Sequence, residues 1–271
     1  MQTIDTFLKT TIPFRWSSVM AVLGTGAMAR YGFISESSQP IPWPHSVFVL
    51  SSFTLLIYQL DSILGLLESR PVSALIKGRH RWLIFSCFIA LICSTYCCFL
   101  LPSERTGYLS IGLILISLYI FPALKIRPAL DRFLPIRWTY LSIILASAAI
   151  TMGGDPAHLP HMLPIIGVLL CGNLLICDFR DQDQDQAHPN RTAFPWGAEH
   201  ARIMVGSLLL IAVALIFLNS DRALSQWHWL AAICCGSALL WLATYQEKSP
   251  WRMTFLADFS PVAAAIILSL P

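Results

Sequence analysis

Residues 163–186 read LPIIGVLLCGNLLICDFRDQDQDQ, and this stretch decides the fold. Its first fifteen residues, 163–177, form an almost continuous apolar run, and four aspartates follow within eight positions, at 178, 181, 183 and 185. An apolar run of this length, next to similar runs on both sides, is typical of a helix that crosses a lipid bilayer. The sequence therefore places a group of carboxylates at the boundary of a membrane segment.

The composition of the whole chain also indicates a membrane protein. Of its 271 residues, 56% are hydrophobic and only 12% are charged, whereas soluble domains contain about 25% charged residues. The net charge of +3 is too small to favour nucleic acid as a partner. The first apolar segment lacks a clear small-residue cleavage site, so we interpret it as a span and not as a removable signal peptide.

The apolar runs predict an all-α membrane protein with nine transmembrane helices, forming one domain over residues 1–271. Helices are the expected element because lipid offers no partners for free backbone groups, and the runs are too long for barrel strands. Gly24 and Gly26, in the first span, are expected to let neighbouring helices approach closely. The predicted spans cover residues 15–34, 43–64, 82–102, 107–124, 137–153, 160–177, 201–219, 226–244 and 253–270.

The distribution of positive charge predicts the orientation of this bundle. Fifteen of the 18 Lys and Arg residues lie at the N-terminus or in the connections after the second, fourth, sixth and eighth spans. Because cytoplasmic loops carry an excess of Lys and Arg, we expect these regions in the cytoplasm and the C-terminus outside. The longer polar connections lie on the same side, so we expect the functional face to be cytoplasmic.

The acidic stretch after the sixth span has the spacing of a metal site. On a helix, Asp178, Asp181 and Asp185 fall within about 60° of one another, whereas Asp183 points elsewhere. Three carboxylates on one face repel each other unless a cation joins them, and hard oxygen ligands suit Mg²⁺. The alternative is a solvated acidic loop, which the regular spacing and the direct exit from an apolar span make less favourable.

A second set of acids lies earlier in the chain, around the end of the second predicted span, where residues 58–71 read YQLDSILGLLESRP. Asp61 lies in an otherwise apolar helix, where an ionisable residue usually marks a functional site. Glu68 follows seven residues later and shares the face of Asp61. Asp61 could instead be held by Tyr58 or by backbone, and Glu68 could be a solvated residue that pairs with Arg70.

Together these features resemble the UbiA superfamily of intramembrane prenyltransferases. The resemblance covers nearly the whole chain: nine helices, an acidic motif after the second, and DFRDQDQD followed by NRTAFP after the sixth. LYIFPALK in the fourth span is similar to the family's Tyr and Lys near the diphosphate, which are Tyr119 and Lys125 here. The sequence LADFSP in the last span, which contains Asp258, also looks like the family.

The resemblance implies an integral protein of the bacterial cytoplasmic membrane that transfers an isoprenyl group from a polyprenyl diphosphate to a small aromatic or lipid-like acceptor. It implies Mg²⁺ held by Asp61, Glu68, Asp178, Asp181 and Asp185, with the cytoplasmic face as the active side. The catalytic group would be Asp61, Asp178, Asp181, Lys125 and Tyr119. The cations that would contact the diphosphate are Arg191, Lys77 and Arg79.

The chain departs from the family in its first acidic motif. The family typically shows Asn-Asp-x-x-Asp-x-x-x-Asp, and only Asp61, with Glu68 as a second acid in one alignment, survives of the three acids. Two other interpretations therefore stay open. One is a terpene cyclase on the same scaffold, in which the prenyl chain attacks its own cation. The other is a non-catalytic bundle that binds or transports a lipid.

Overall fold

The computed structural model describes residues 16–32, 42–69, 80–120, 130, 133–186, 194–218, 226–247 and 249–270. Within these ranges the chain forms nine α-helices and one short 3₁₀ turn. The helices are α1 (Trp16–Gly32), α2 (Trp43–Ser69), α3 (His80–Leu100), α4 (Ser103–Ile120), α5 (Leu134–Gly153), α6 (Leu159–Gln186), α7 (Ala198–Leu218), α8 (Gln226–Ala243) and α9 (Pro250–Ser269).

The all-helical class predicted from the apolar runs is confirmed, and each predicted span coincides with one helix of the described part. Five of these helices, α3, α5, α6, α7 and α9, are long and apolar enough to cross a membrane. The protein is therefore a multi-pass integral membrane protein. The count of nine spans and the cytoplasmic position of the N-terminus remain predictions.

Helix α6 continues beyond the predicted end of its span. Residue 177 closes the apolar run, yet the helix extends through Gln186. Hydropathy marks where a chain leaves lipid, whereas backbone hydrogen bonds decide where a helix ends, and Asp and Gln can continue a helix in a polar environment. All four aspartates of the acidic stretch consequently lie on helical backbone. In the same way α2 extends through Ser69, past the predicted boundary at residue 64.

Helix α6 lies at the centre of the larger half of the bundle. It packs against α5, α7, α8 and α9, and the largest buried apolar cluster joins these helices with α1. A second group of helices, α2, α3 and α4, packs on the other side of α5. Helices α1 and α5 therefore both contact the two halves of the bundle.

The C-terminal end of α5 is held by side chains from two neighbouring helices. Arg105, at the start of α4, is only 7% exposed and donates to the carbonyls of Thr151 at 2.7 Å and Gly154 at 3.1 Å. Ser46 of α2 donates to the carbonyl of Met152 at 2.6 Å. The last carbonyls of a helix have no partners within it, so these bonds satisfy them and fix α5 against α2 and α4.

Helix α1 approaches α5 and α9 at glycines. A Cβ at Gly24 would lie 2.5 Å from the backbone nitrogen of Val262 in α9, and a Cβ at Gly153 would overlap the carbonyl group of Gly26. Neither position has room for a side chain because the obstacle is backbone and cannot rotate away. The expectation that Gly24 and Gly26 serve close helix packing is confirmed.

A substitution at Gly153 tests this backbone contact between α1 and α5. Gly153→Ala is expected to lower the free energy of unfolding by about 2 kcal/mol, because the two backbones must separate to admit the methyl group. The measurement is thermal unfolding of the purified protein in detergent. Gly206→Ala is the matched control, since nothing lies within 4 Å of its Cβ position on α7. Equal stability of the two variants would contradict the backbone contact.

Candidate functional site

The first half of the site lies around Asp61 on α2. Ile57 and Leu64, four residues before and three after Asp61, pack into a cluster with Tyr119 of α4 and Tyr140 of α5. Residues at this spacing share one face of a helix. Asp61, which is partly buried, therefore lies on the face of α2 that is turned toward α4 and α5.

Two tyrosines stand together in that cluster. The ring centres of Tyr119 and Tyr140 are 6.2 Å apart with the planes tilted by 38°. The Tyr140 hydroxyl donates to the carbonyl oxygen of Leu115 at 2.8 Å, which orients its ring against α4. Tyr119 is 7% exposed. The sequence indicated Tyr119 alone, and the structure adds Tyr140 as its neighbour.

The second half of the site is centred on Asp178 of α6. One carboxylate oxygen of Asp178 accepts hydrogen bonds from both the Arg137 guanidinium and the Trp138 indole at the start of α5. The side chains of Arg137 and Asp178 are 10% and 18% exposed, so the ion pair is largely removed from water. A carboxylate that is buried to this degree requires such donors, because burying an unpaired charge is unfavourable.

Asp181 has a different partner, which connects α6 to α9. Arg180 donates through Nε and Nη2 to the two oxygens of Asp181, at 2.7 and 2.6 Å. Its remaining nitrogen, Nη1, donates to the Thr254 hydroxyl at 2.8 Å, and that hydroxyl donates to the Pro250 carbonyl at 2.9 Å. The guanidinium therefore uses every nitrogen and fixes the acidic end of α6 to the first turn of α9.

A second polar contact joins α6 to α9 deeper in the bundle. The Asn173 amide donates to Asp258 at 3.2 Å, and the two residues are 6% and 4% exposed. The positive charge of Arg180 interacts favourably with Asp258 as well as with Asp181. Arg180 thus forms its ion pair with Asp181, and its charge also acts on the buried Asp258.

An aromatic cluster fixes the chain that returns from the acidic stretch. Phe194 is 1% exposed, and its ring centre lies 5.5 Å from Phe179, 5.3 Å from Trp196 and 6.2 Å from Trp138. Trp138 is the residue whose indole binds Asp178. The end of the α6–α7 connection is therefore anchored beside the second half of the site. Arg191, three residues before Phe194, lies outside the described residues.

The first turns of α5 bring the two halves to the same end of the bundle. Arg137 contacts Asp178, while Tyr140, one turn later on α5, belongs to the cluster that faces Asp61. An open groove of about 360 Å³ lies along these turns, and the side chains that line it are mostly exposed and almost entirely apolar. The lining residues are Pro135, Ile136, Thr139, Tyr140 and Ile143.

The carboxylates present suit Mg²⁺ in kind, because aspartate oxygens are the ligands that this ion prefers. In the arrangement observed, however, Asp178 and Asp181 are each paired with an arginine. Among the described residues, no group of three His, Cys, Asp or Glu side chains is placed to hold a metal ion. The side chains of Glu68 and Asp185 lie outside the described part, so the metal site stays a prediction.

The structure places four of the residues expected from the sequence: Asp61, Tyr119, Asp178 and Asp181. Lys77, Arg79, Lys125 and Arg191 lie outside the described residues. Sequence reasoning missed the partners of the acids, Arg137, Trp138, Arg180 and Thr254. Arg180 could have been noticed, because it stands between two aspartates of the motif, whereas nothing in the sequence relates Arg137 to a residue 41 positions away.

The fold matches two solved membrane proteins. A UbiA homologue from Aeropyrum pernix K1 aligns with a TM-score of 0.58 at 15% identity, over 95% of this chain and 99% of that one. A digeranylgeranylglyceryl phosphate synthase aligns with a TM-score of 0.51 at 14% identity, over 98% of both chains. No family model and no curated protein matches the sequence. At these identities the likeness establishes a shared UbiA-type fold.

Proposed function

We propose that this UbiA-type bundle is a Mg²⁺-dependent intramembrane prenyltransferase. It would transfer an isoprenyl group from a polyprenyl diphosphate to a small aromatic or lipid-like acceptor. What supports the proposal is that Asp178 pairs with Arg137 in the first turn of α5, while Tyr140, three residues later on α5, packs with Ile57 and Leu64 on the face of α2 that carries Asp61. Acids at a membrane boundary are costly, and binding a phosphorylated substrate through a cation gives them a use.

The residues that would hold the ion are Asp61, Asp178 and Asp181, together with Glu68 and Asp185. When bound, Mg²⁺ supplies positive charge for the diphosphate as it leaves. Positive side chains of the cytoplasmic connections would add to this stabilisation, since charge on the leaving group grows as the bond breaks. These side chains are Lys77, Arg79, Lys125 and Arg191.

The reaction would break the allylic carbon–oxygen bond and join that carbon to an electron-rich atom of the acceptor. The products are the prenylated acceptor, a diphosphate and the proton that the acceptor loses. Water must be kept from the cation-like carbon, and the apolar side chains along the open groove of α5, with Tyr140 among them, would help to exclude it. Tyr119, packed beside Tyr140, would face the same region.

The orientation is part of the proposal. The excess of Lys and Arg in the connections that follow α2, α4, α6 and α8 would place the acids at the cytoplasmic face of a bacterial cytoplasmic membrane. The charged diphosphate group of the substrate would reach the site from the cytoplasm. Its apolar isoprenyl chain would lie among the helices or in lipid.

The test is an assay of the purified chain in lipid nanodiscs with labelled isoprenyl diphosphates of several lengths and a panel of aromatic and lipid acceptors. We expect Mg²⁺-dependent release of diphosphate and a labelled product that contains the acceptor. Release with formation of a cyclic hydrocarbon and no acceptor would indicate the terpene cyclase instead. If diphosphate is not released with any chain length or acceptor, the proposal is wrong.

A second candidate function rests on the shortened acidic motif of α2. With Asp61 as its remaining described acid, the first half of the site has fewer ligands than a two-metal site requires. A bundle of this kind could bind or transport a lipid without chemistry. It predicts that lipid co-purifies with the chain and that Asp61→Asn leaves its cellular role unchanged.

A further inference from the structure

Oxygen Oδ2 of Asp178 is already bound by two donors in the observed arrangement. These donors are the Arg137 guanidinium and the Trp138 indole. Little water screens the pair, since the side chains are 10% and 18% exposed. A metal ion that joined Asp178 would lie close to the guanidinium, and two positive charges would share one carboxylate in a poorly hydrated place.

An incoming diphosphate removes this conflict. Its oxygens bind a planar guanidinium through two parallel hydrogen bonds, and they also complete the coordination shell of Mg²⁺. Resting on the proposed function, we infer that Arg137 is a diphosphate-binding residue, paired with Asp178 until the substrate arrives. With the diphosphate on the guanidinium, Asp178 would be available to hold Mg²⁺, so that the two ligands would bind together.

Arg180 does not take part in this exchange. Its Nη1 is held by the Thr254 hydroxyl of α9 at 2.8 Å, in addition to the two bonds with Asp181. Moving Arg180 onto a substrate would therefore also break a contact that joins α6 to α9. Arg137 stands at the fourth residue of α5, at the end of the bundle where the acids meet. Of the two arginines, Arg137 is the one assigned to the substrate.

The experiment measures metal binding and pyrophosphate binding by the full chain in nanodiscs. Mn²⁺ binding without diphosphate is followed by the electron paramagnetic resonance of the free ion, and binding of radiolabelled inorganic pyrophosphate is followed in Mg²⁺ and in chelator. Arg137→Gln is expected to raise the affinity for Mn²⁺ alone about tenfold and to lower the affinity for pyrophosphate in Mg²⁺ about tenfold. A loss of stability would weaken both, so the opposite signs identify the exchange.

Two further variants act as controls. Arg137→Lys keeps the positive charge and is expected to keep the weak Mn²⁺ binding of the unmodified chain. Arg202→Gln is the matched control, because Arg202 lies on α7 with its guanidinium 4.0 Å from the centre of the Tyr245 ring and paired with Glu247. It is expected to change either affinity by less than about twofold, because Tyr245 and Glu247, its partners, do not belong to the proposed site.

The outcomes separate this inference from the proposed function. If Arg137→Gln leaves Mn²⁺ affinity unchanged or lowers it, the exchange is wrong while prenyl transfer still stands. If the unmodified chain binds no pyrophosphate in Mg²⁺, the proposed function fails and the role of Arg137 fails with it.

Discussion

Asp178→Asn is expected to lower the rate of diphosphate release at least about a hundredfold, the loss typical of a group that stabilises charge in the transition state. Asparagine has nearly the same shape and can still accept hydrogen bonds from Trp138 and Arg137. Because it leaves the charge of Arg137 unbalanced, thermal unfolding in detergent is measured beside the rate, and the comparison is made at a temperature where the variant is folded. The substitution removes the negative charge of residue 178. Arg137 balances this charge in the structure, and Mg²⁺ would require it for binding. The measurement is the initial rate of diphosphate release with the substrate found in the nanodisc assay.

Asp183→Asn is the matched control for this prediction. It lies on the same helical stretch of α6 and loses the same charge, yet its position falls about 140° around the helix from Asp178. We expect its rate to stay within about threefold of the unmodified chain, because charges outside the site are screened by salt. Equal losses in the two variants would mean that the total acidity of the stretch matters and that no individual aspartate has a defined role.

Arg180→Gln is expected to lower the free energy of unfolding by about 3 kcal/mol, because it leaves acids without the cation that balances them. Arg180 is 15% exposed and binds Asp181 through two hydrogen bonds. Its charge also favours Asp258, which is 4% exposed in α9. We expect a lower midpoint of thermal unfolding in detergent, and weaker packing of α6 against α9.

A double variant gives the sharper form of this prediction. Asp258→Asn removes the buried negative charge that Arg180→Gln leaves unbalanced, and the oxygen of the new amide can still accept from Asn173. Arg180→Gln combined with Asp258→Asn should therefore be more stable than Arg180→Gln alone. Arg252→Gln, an exposed arginine of the same helix that stacks on Trp251, is the control and should change little. Strictly additive losses would show that Arg180 does not balance Asp258.

The helices could be predicted from the sequence because lipid imposes a simple requirement. Every apolar run must satisfy its backbone groups internally, so hydropathy alone located all nine helices of the described part. The boundaries were less accurate where polar residues continue a helix out of the membrane, as α6 does to Gln186. The positions of Asp61 and Asp178 as unusual acids also follow from the sequence, since charge beside lipid is rare.

The partners of these acids could not be predicted in the same way. Arg137 and Arg180 contributed to the predicted orientation only as positive charges of cytoplasmic connections, and nothing in their spacing relates them to particular carboxylates. A helix turns its residues by about 100° each, so spacing places Asp178 and Asp181 on one face. The spacing does not show which helix lies opposite that face. In the structure, Arg137 and Trp138 of α5 donate to Asp178. Asp181 accepts from Arg180 of its own helix, and Arg180 in turn contacts α9.

The sequence by itself therefore determined the local properties of this protein: its helical segments, their apolar character, and the unusual acids on α2 and α6. Tertiary structure alone decided that α5 lies between those two helices and supplies Arg137, Trp138 and Tyr140 to them. The physical reason is that burial in a membrane depends on each segment separately, whereas pairing of charges depends on which segments become neighbours. Close approach at Gly24 and Gly153 fixes two such pairs of neighbours, α1 with α9 and α1 with α5, through backbone contacts between distant parts of the chain.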